Sequence, residues 1–324
     1  MQVDEKDLKP SKQAVLLLAH GTPETVEQIP EYLSSVTGGR PLPHEVIDEI
    51  QRRYSLIGHS PLTELTQQQG SLVEAELAAA GQPVPVYVAM RNWAPYIADV
   101  VRQMRADRVE SAAVICLAPQ NSRTSVGLYR RAVESEAAGL RIDFTEAWSQ
   151  HPLLIEAFAE RLRPAWTGLS QEVGAPVPVL FTAHSVPCRT IQAPPDSTDG
   201  QGGDPYAVEA KRTAALVAAS VPGIPQWYFA FQSQGASGGS WIGPAVEATL
   251  EALAASGVKT LMLQPIGFLC DHVEILYDVD ILFREFAAKL GMRLERPESL
   301  NASLTLARAV ADLAQQGFAR LRGQ

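Results

Sequence analysis

The chain has 324 residues, enough for two domains of ordinary size. It is 46% hydrophobic and 19% charged, which excludes a disordered protein, and its net charge of -9 argues against nucleic-acid phosphates as partner, since these need a basic face. Its cysteines, Cys116, Cys188 and Cys270, are dispersed and lack CxxC spacing, which argues against a disulfide framework, suits a reducing compartment and leaves no iron–sulfur cluster expected.

Residues 1–11 are charged and polar, with no apolar leader, and no run of about 18 apolar residues occurs further on. A cytoplasmic protein is expected, and peripheral membrane contact stays open because a small apolar lip suffices for it. Unbroken apolar, β-rich runs recur at 14–19, 84–90, 112–118, 177–183, 227–231 and 260–265. Helical periodicity fills the intervals, at 71–80, 97–105, 153–162, 207–219 and 245–255. Unbroken runs of this length fit parallel strands buried on both faces, and their alternation with helices predicts an α/β doubly wound architecture.

The chain also repeats itself. One strand ends in Leu18-Ala19-His20-Gly21-Thr22-Pro23 and a later one in Thr182-Ala183-His184-Ser185-Val186-Pro187. Two Rossmann-like domains are expected, with parallel sheets flanked by helices and a cleft between them. The boundary falls near 148–152, giving an N-terminal domain over 12–150 and a C-terminal domain over 151–302. The helix at 303–321 is expected to return to the first. Residues 193–203, rich in Pro, Gly, Ser, Thr and Asp, read as a surface loop.

The segment from Gly267 to Asp280 follows a strand and carries no proline or glycine after Gly267, so it should open a helix. Glu274 and Asp278, four apart, then share a face. Such a pair is either a solvated acidic turn or a row of oxygen ligands for a divalent cation. His184, at a strand end, is either a half-buried histidine on a backbone group or a base and metal ligand that titrates near neutrality. Asp204 suits a helix cap, and Trp241, in a loop with several glycines, is either a core anchor or a flat wall for a planar ligand.

Together these residues resemble the ferrochelatase family over nearly the whole chain. The second-half motifs are Ala183-His184-Ser185-Val186-Pro187, Gly203-Asp204-Pro205-Tyr206, the loop from Gln232-Ser233 to Trp241-Ile242-Gly243-Pro244, and Asp271-His272-Val273-Glu274-Ile275-Leu276-Tyr277-Asp278. In the first half they are Gly21-Thr22-Pro23, Arg53-Tyr54, Ser60-Pro61, Met90-Arg91 and Ala118-Pro119-Gln120-Asn121-Ser122. The resemblance implies insertion of Fe(II) into a porphyrin, with His184 and Glu274 at the chemistry, and the spacing of Asp278 from Glu274 makes it a further candidate metal ligand. It is nearest the branch that uses coproporphyrin III, and implies propionate contacts from Arg53, Ser60 and Tyr129. Two departures stand out: His20 replaces a tyrosine that faces the metal, and Thr37 and Gly38 replace two arginines, although Arg40 survives. His20, Arg40 and Trp241 are therefore further candidates for the porphyrin site. Protoporphyrin IX is an alternative substrate, a sirohydrochlorin-type cobalt or iron chelatase an alternative enzyme, and a non-catalytic haem carrier an alternative of another class. A monomer is expected, since two facing domains already complete a cleft.

Overall fold

The structure, a computed structural model, describes residues 12–191, 203–234 and 239–323. The loop expected at 193–203 lies outside these residues except for Gly203. In chain order the elements are β1 (Gln13–Ala19), α1 (Ile29–Thr37), α2 (His44–Ile57), α3 (Leu62–Ala79), β2 (Val86–Met90), α4 (Ile97–Ala106), β3 (Ser111–Cys116), α5 (Val126–Glu136), β4 (Arg141–Thr145) and α6 (Pro152–Val173). There follow β5 (Val179–His184), α7 (Cys188–Ile191), α8 (Tyr206–Ala219), β6 (Trp227–Gln232), α9 (Val246–Ala255), β7 (Thr260–Pro265), a π-helix (Glu274–Phe283), α10 (Arg284–Lys289), β8 (Arg293–Glu295) and α11 (Leu304–Gly323).

The strands form two four-stranded sheets, ordered β2-β1-β3-β4 and β6-β5-β7-β8, with every pairing parallel. The α/β class with two flanked parallel sheets is thus what the apolar runs implied, and the two sheets share one topology. Alternation within each strand distributes the layers. In β1, Val15 and Leu17 join one core, while Ala14, Leu16 and Leu18 face the opposite layer with α4 and α5. In β5, Val179 and Phe181 join that same first core, and Leu180 packs with α9 and the π-helix on the other side. One continuous core therefore runs between the sheets, built on α6, α8 and α11, with Phe158, Phe181 and Phe318 fully buried in it. Each such ring contributes on the order of 3 kcal/mol through burial. Helix α11 returns onto β3, β4, α3 and α6, and Gly317 lets it approach the sheet: a Cβ there would stand 2.9 Å from that of Ala113.

Three elements depart from the sequence reading. Strand β8 has only three residues, and the edge strand β4 has no fully buried position, so neither makes an apolar run. The third is the helix after β7. Its first ten residues form a π-helix rather than an α-helix. Its i→i+5 bonds change which side chains share a face, and such turns concentrate at functional sites.

Chain order reverses beside β1 and again beside β5, because successive connections leave these strands in opposite directions. A crevice opens at the carboxyl ends there. His20 follows β1 and His184 ends β5.

Candidate active site

A cavity of about 370 Å³ occupies this crevice and takes its walls from both halves of the chain. The β1–β4 half supplies His20, Tyr32, Ser60, Arg91 and Tyr129; the β5–β8 half supplies His184, Trp241, Phe268, His272 and Glu274. Aromatic and imidazole rings from both halves stand in this lining, so a flat, largely apolar ligand fits it.

At its centre the Glu274 carboxylate lies between two imidazoles. Oε1 is 3.3 Å from His184 Nε2, and Oε2 is 3.5 Å from His272 Nε2. His184 is held by its strand, pairing with Gln232 in the β5–β6 register, and its ring Nδ1 sits on Ser185 O. Tyr206 donates to His184 O at 3.0 Å. Gln232 carries the arrangement across to the π-helix: it accepts from Thr182 at 2.6 Å and donates to Glu274 O at 3.2 Å. Asp271 fixes the entry to that helix, accepting from Ser299 at 2.6 Å, Asn301 at 2.9 Å and Arg296 at 3.1 Å.

Burial disfavours both charges of the central pair, yet each group sustains the other's. Burial pushes the His184 pKa down, but the Glu274 charge and hydrogen bond, with help from Ser185 and Asp278, outweigh it and raise the value to about 9. Glu274 is likewise pushed up by burial and pulled further down by His184 and then His272, ending well below the ordinary carboxylate range. The site is an imidazolium–carboxylate pair at neutral pH. A cation arriving at Glu274 competes with the imidazolium proton, so metal binding and proton release are coupled here.

The linkage has a testable sign. A raised His184 contributes stability fully below its ordinary 6.5 and loses it as pH rises through about 9. A depressed Glu274 contributes fully above its ordinary 4.5 and loses this as pH falls through its lowered value. The melting temperature of metal-free protein is therefore expected to decline between pH 6.5 and about 9 in a way that Glu274→Gln abolishes. An identical alkaline decline in both proteins would rule this pair out as its source.

The other predicted residues divide into three groups. His20, Ser60, Tyr129 and Trp241 line the cavity. His20 is held neutral: burial and then the Arg91 charge lower its pKa to about 4, while Tyr32 meets its ring edge-on at 6.1 Å and Asn92 Nδ2 lies 3.0 Å from Nε2. Asp278 and Arg53 lie behind the cavity wall rather than in it. Asp278 takes a bond from Ser233 and stands 3.5 Å from Arg53 Nη1, and burial and the Glu274 charge raise its pKa to about 6. Arg53 also binds Glu49 at 2.9 Å and covers the Tyr277 ring at 5.0 Å. The expected row of Glu274 and Asp278 is therefore one carboxylate in the cavity and one in its support. Arg40 is exposed after α1, bonded to Thr37 O at 3.0 Å, and does not reach the cavity. Among the described residues no three His, Cys, Asp or Glu side chains converge as a metal cage.

Sequence reasoning passed over His272 and Arg91. His272 was in plain view, two residues before Glu274, but the segment before the π-helix has no period that marks a face. Arg91 follows β2 at the position where β1 is followed by His20, and only the pairing of these strands shows that the two line one cavity.

Two doubly wound parallel sheets, with a carboxylate between imidazoles in the crevice they share, define an α/β protein with a charged, ring-lined site between its sheets. SirB from Bacillus subtilis, solved with Fe3+, has the same fold: TM-score 0.57 with 14% identity, covering 97% of this chain and 98% of that one. The chain belongs to the ferrochelatase family, porphyrin metal chelatases of the lyase class, whose family model, Ferrochelatase, matches residues 12–318. It is 59% identical to a ferrochelatase of Acidobacterium capsulatum over 96% of each chain. It is 35% identical to a coproporphyrin III ferrochelatase of Mycolicibacterium vanbaalenii, over 94% of this chain and 89% of the relative. No helix among the described residues is long and apolar enough to cross a membrane.

Proposed function

We propose that this enzyme inserts Fe(II) into coproporphyrin III, with His184 and Glu274 acting on the metal and on the pyrrole protons. The observation that carries the reading is the Glu274 carboxylate held 3.3 Å from His184 and 3.5 Å from His272 in a cavity walled by rings. Insertion breaks two pyrrole N–H bonds, releases two protons and forms iron–nitrogen bonds with no change of oxidation state. Glu274 receives the ferrous ion, which displaces the proton of His184 to solvent. The freed imidazole then accepts a pyrrole proton, and His272 offers a second acceptor. Asp278, with Arg53 and Ser233 against it, buffers the charge of Glu274 from behind. The lobes, residues 12–150 with the final helix and residues 151–302, hold the ring between them, with Trp241 along one wall.

Four carboxylates distinguish coproporphyrin III from protoporphyrin IX, which has two. Ser60 and Tyr129 meet carboxylates within the cavity, and Arg40 and Arg53 meet those projecting beyond it. The enzyme acts as a monomer in the cytoplasm. The relative named for coproporphyrin III supports this substrate, while the 59% identical relative carries the family name alone. Anaerobic turnover of Fe(II) with each porphyrin tests it. Coproporphyrin III is expected to be metallated at least about tenfold faster, the effect of one additional charge-assisted hydrogen bond in the transition state. Equal rates, or faster reaction of protoporphyrin IX, would replace the substrate while leaving the chemistry intact.

The neutral His20 in the same cavity favours one rival, metal insertion into sirohydrochlorin. That reading needs His20 as a metal ligand, whereas here His20→Ala costs less than His184→Ala.

A further inference from the structure

Gln232 closes β6 and pairs with His184, the last residue of β5, in the parallel register. Paired residues of adjacent strands stand on one face of a sheet, about 4.8 Å apart, so these two side chains leave the sheet side by side. They meet the same residue of the π-helix. His184 Nε2 lies 3.3 Å from the Glu274 carboxylate, and Gln232 Nε2 donates to the Glu274 carbonyl at 3.2 Å. Glu274 is thus held by its side chain and by its backbone from two neighbouring strand positions. Thr182, two residues before His184 and on the same face, donates to Gln232 Oε1 at 2.6 Å and so fixes which end of the amide faces the π-helix. The other amide proton has Ser233 Oγ at 3.4 Å. The Gln232 backbone serves the same end, its carbonyl accepting from Ser185 N at 2.7 Å beside His184.

This polar link is built where an apolar one would fold as well. Gln232 is 2% exposed and Thr182 0%, neither lines the cavity, and the layer on their face holds Leu180, Ala230, Ile275 and Val279. An apolar side chain of similar size would fill that space without desolvating an amide. What the amide adds is a directed donor on one carbonyl, the one that belongs to Glu274. We infer that Gln232, oriented by Thr182, is a positioning residue that sets the separation of Glu274 from His184 and acts on turnover rather than on ring binding. The inference rests on the proposed function, in which those two groups carry the chemistry. With the amide in place, the spacing of the catalytic pair follows from strand pairing, the most rigid dimension in the fold. Without it, the π-helix packs on the sheet through apolar contacts, which are not directional and let Glu274 shift against His184. A displacement of about 1 Å in a reacting group costs on the order of 10²-fold in rate.

Anaerobic single-turnover metallation with Fe(II), enzyme in excess, keeps slow variants measurable and is run with whichever of coproporphyrin III and protoporphyrin IX the wild type metallates faster. Fluorescence titration of the metal-free protein with the same porphyrin reads ring affinity. Gln232→Met keeps the length of the side chain but has no donor for Glu274. It is expected to lower the metallation rate by about 10- to 100-fold and the affinity by less than about threefold. Placed in Glu274→Gln, the same substitution is expected to cost less than about threefold more, because no catalytic carboxylate is left to position. A residue that only supported the fold would cost the same factor in both backgrounds. Melting curves show which variants are folded at the assay temperature. Should Gln232→Met not fold, Thr182→Val, which removes only the hydroxyl that orients the amide, gives the same comparison with an expected loss of about three- to tenfold. An unchanged rate in the folded variant, parallel losses of rate and affinity, or the full loss repeated in Glu274→Gln would each overturn the inference. Any of these, with wild type active and Glu274→Gln slow, leaves the proposed function standing. Metallation by Glu274→Gln at the wild-type rate, or by wild type of neither porphyrin, would remove the proposed function and the inference together.

Discussion

Glu274→Gln is expected to lower Fe(II) insertion by roughly 10²–10⁴-fold, the range that a positioned proton-transfer group supplies. Glutamine keeps the size of the side chain but removes the charge that holds His184 protonated at neutral pH and that receives the cation in the proposed reaction. The loss should fall on turnover, with porphyrin affinity changed less than about threefold, because the amide leaves the ring-lined walls in place. His184→Ala is expected to produce a comparable loss, and the double variant little more than either alone, since the two groups act as one unit. Anaerobic optical assays of the three variants, with melting curves as a control for folding, check this. Near wild-type turnover in folded Glu274→Gln would remove Glu274 from the chemistry. Additive losses would separate it from His184.

Arg296→Met is expected to have the largest effect on stability. The Arg296 side chain is 10% exposed and binds both oxygens of Asp280 at 2.7 Å and one oxygen of Asp271 at 3.1 Å. Removing the cation leaves two partly buried carboxylates facing each other, a change that costs about 3–5 kcal/mol when the site is dry. Both acids retain some contact with water, 16% for Asp271 and 24% for Asp280, which places the expected cost near the lower end. At about 2–4 °C per kcal/mol, the melting temperature should fall by roughly 6–12 °C. Activity should fall as well, because Asp271 opens the segment bearing His272 and Glu274, and Asp280 lies on the π-helix itself. An unchanged melting temperature would show that Ser299 and Asn301 hold Asp271 without Arg296.

This network also marks where sequence reasoning stops. Asp271 and Asp280 look like members of an acidic run that includes Glu274 and Asp278, four carboxylates within ten residues. Their chemistry differs because their neighbours differ. Asp271 and Asp280 are neutralised by an arginine beyond the helix, Asp278 meets Arg53 of α2 and Ser233 after β6, and only Glu274 reaches the cavity. A four-residue spacing implies a shared face only if the helix is an α-helix, and the bond ladder that made this a π-helix depends on packing along its whole length. The expected metal role of Asp278 therefore becomes a proposal about charge behind the site. Arg53 and Arg40 likewise have no sequence signal separating a cavity wall from a rim.

What the sequence by itself determined is whatever depends on short range and on period. Unbroken apolar runs such as Leu16–Leu17–Leu18 and Leu261–Met262–Leu263 require a strand covered on both faces, hence parallel sheets between helices. The histidines at equivalent strand ends were legible for the same reason, because a strand that must be buried ends where its first polar residue meets the crevice. The family signature made Glu274 legible as well. Only the tertiary structure decided which groups share that crevice. His272, Arg91 and Tyr32 come to it from three separate segments, and Glu274 acquires its charge state from His184, ninety residues away in the chain. Electrostatic coupling depends on distance and dielectric, both set by the packing of the two sheets around one core, and no local pattern in the chain encodes either.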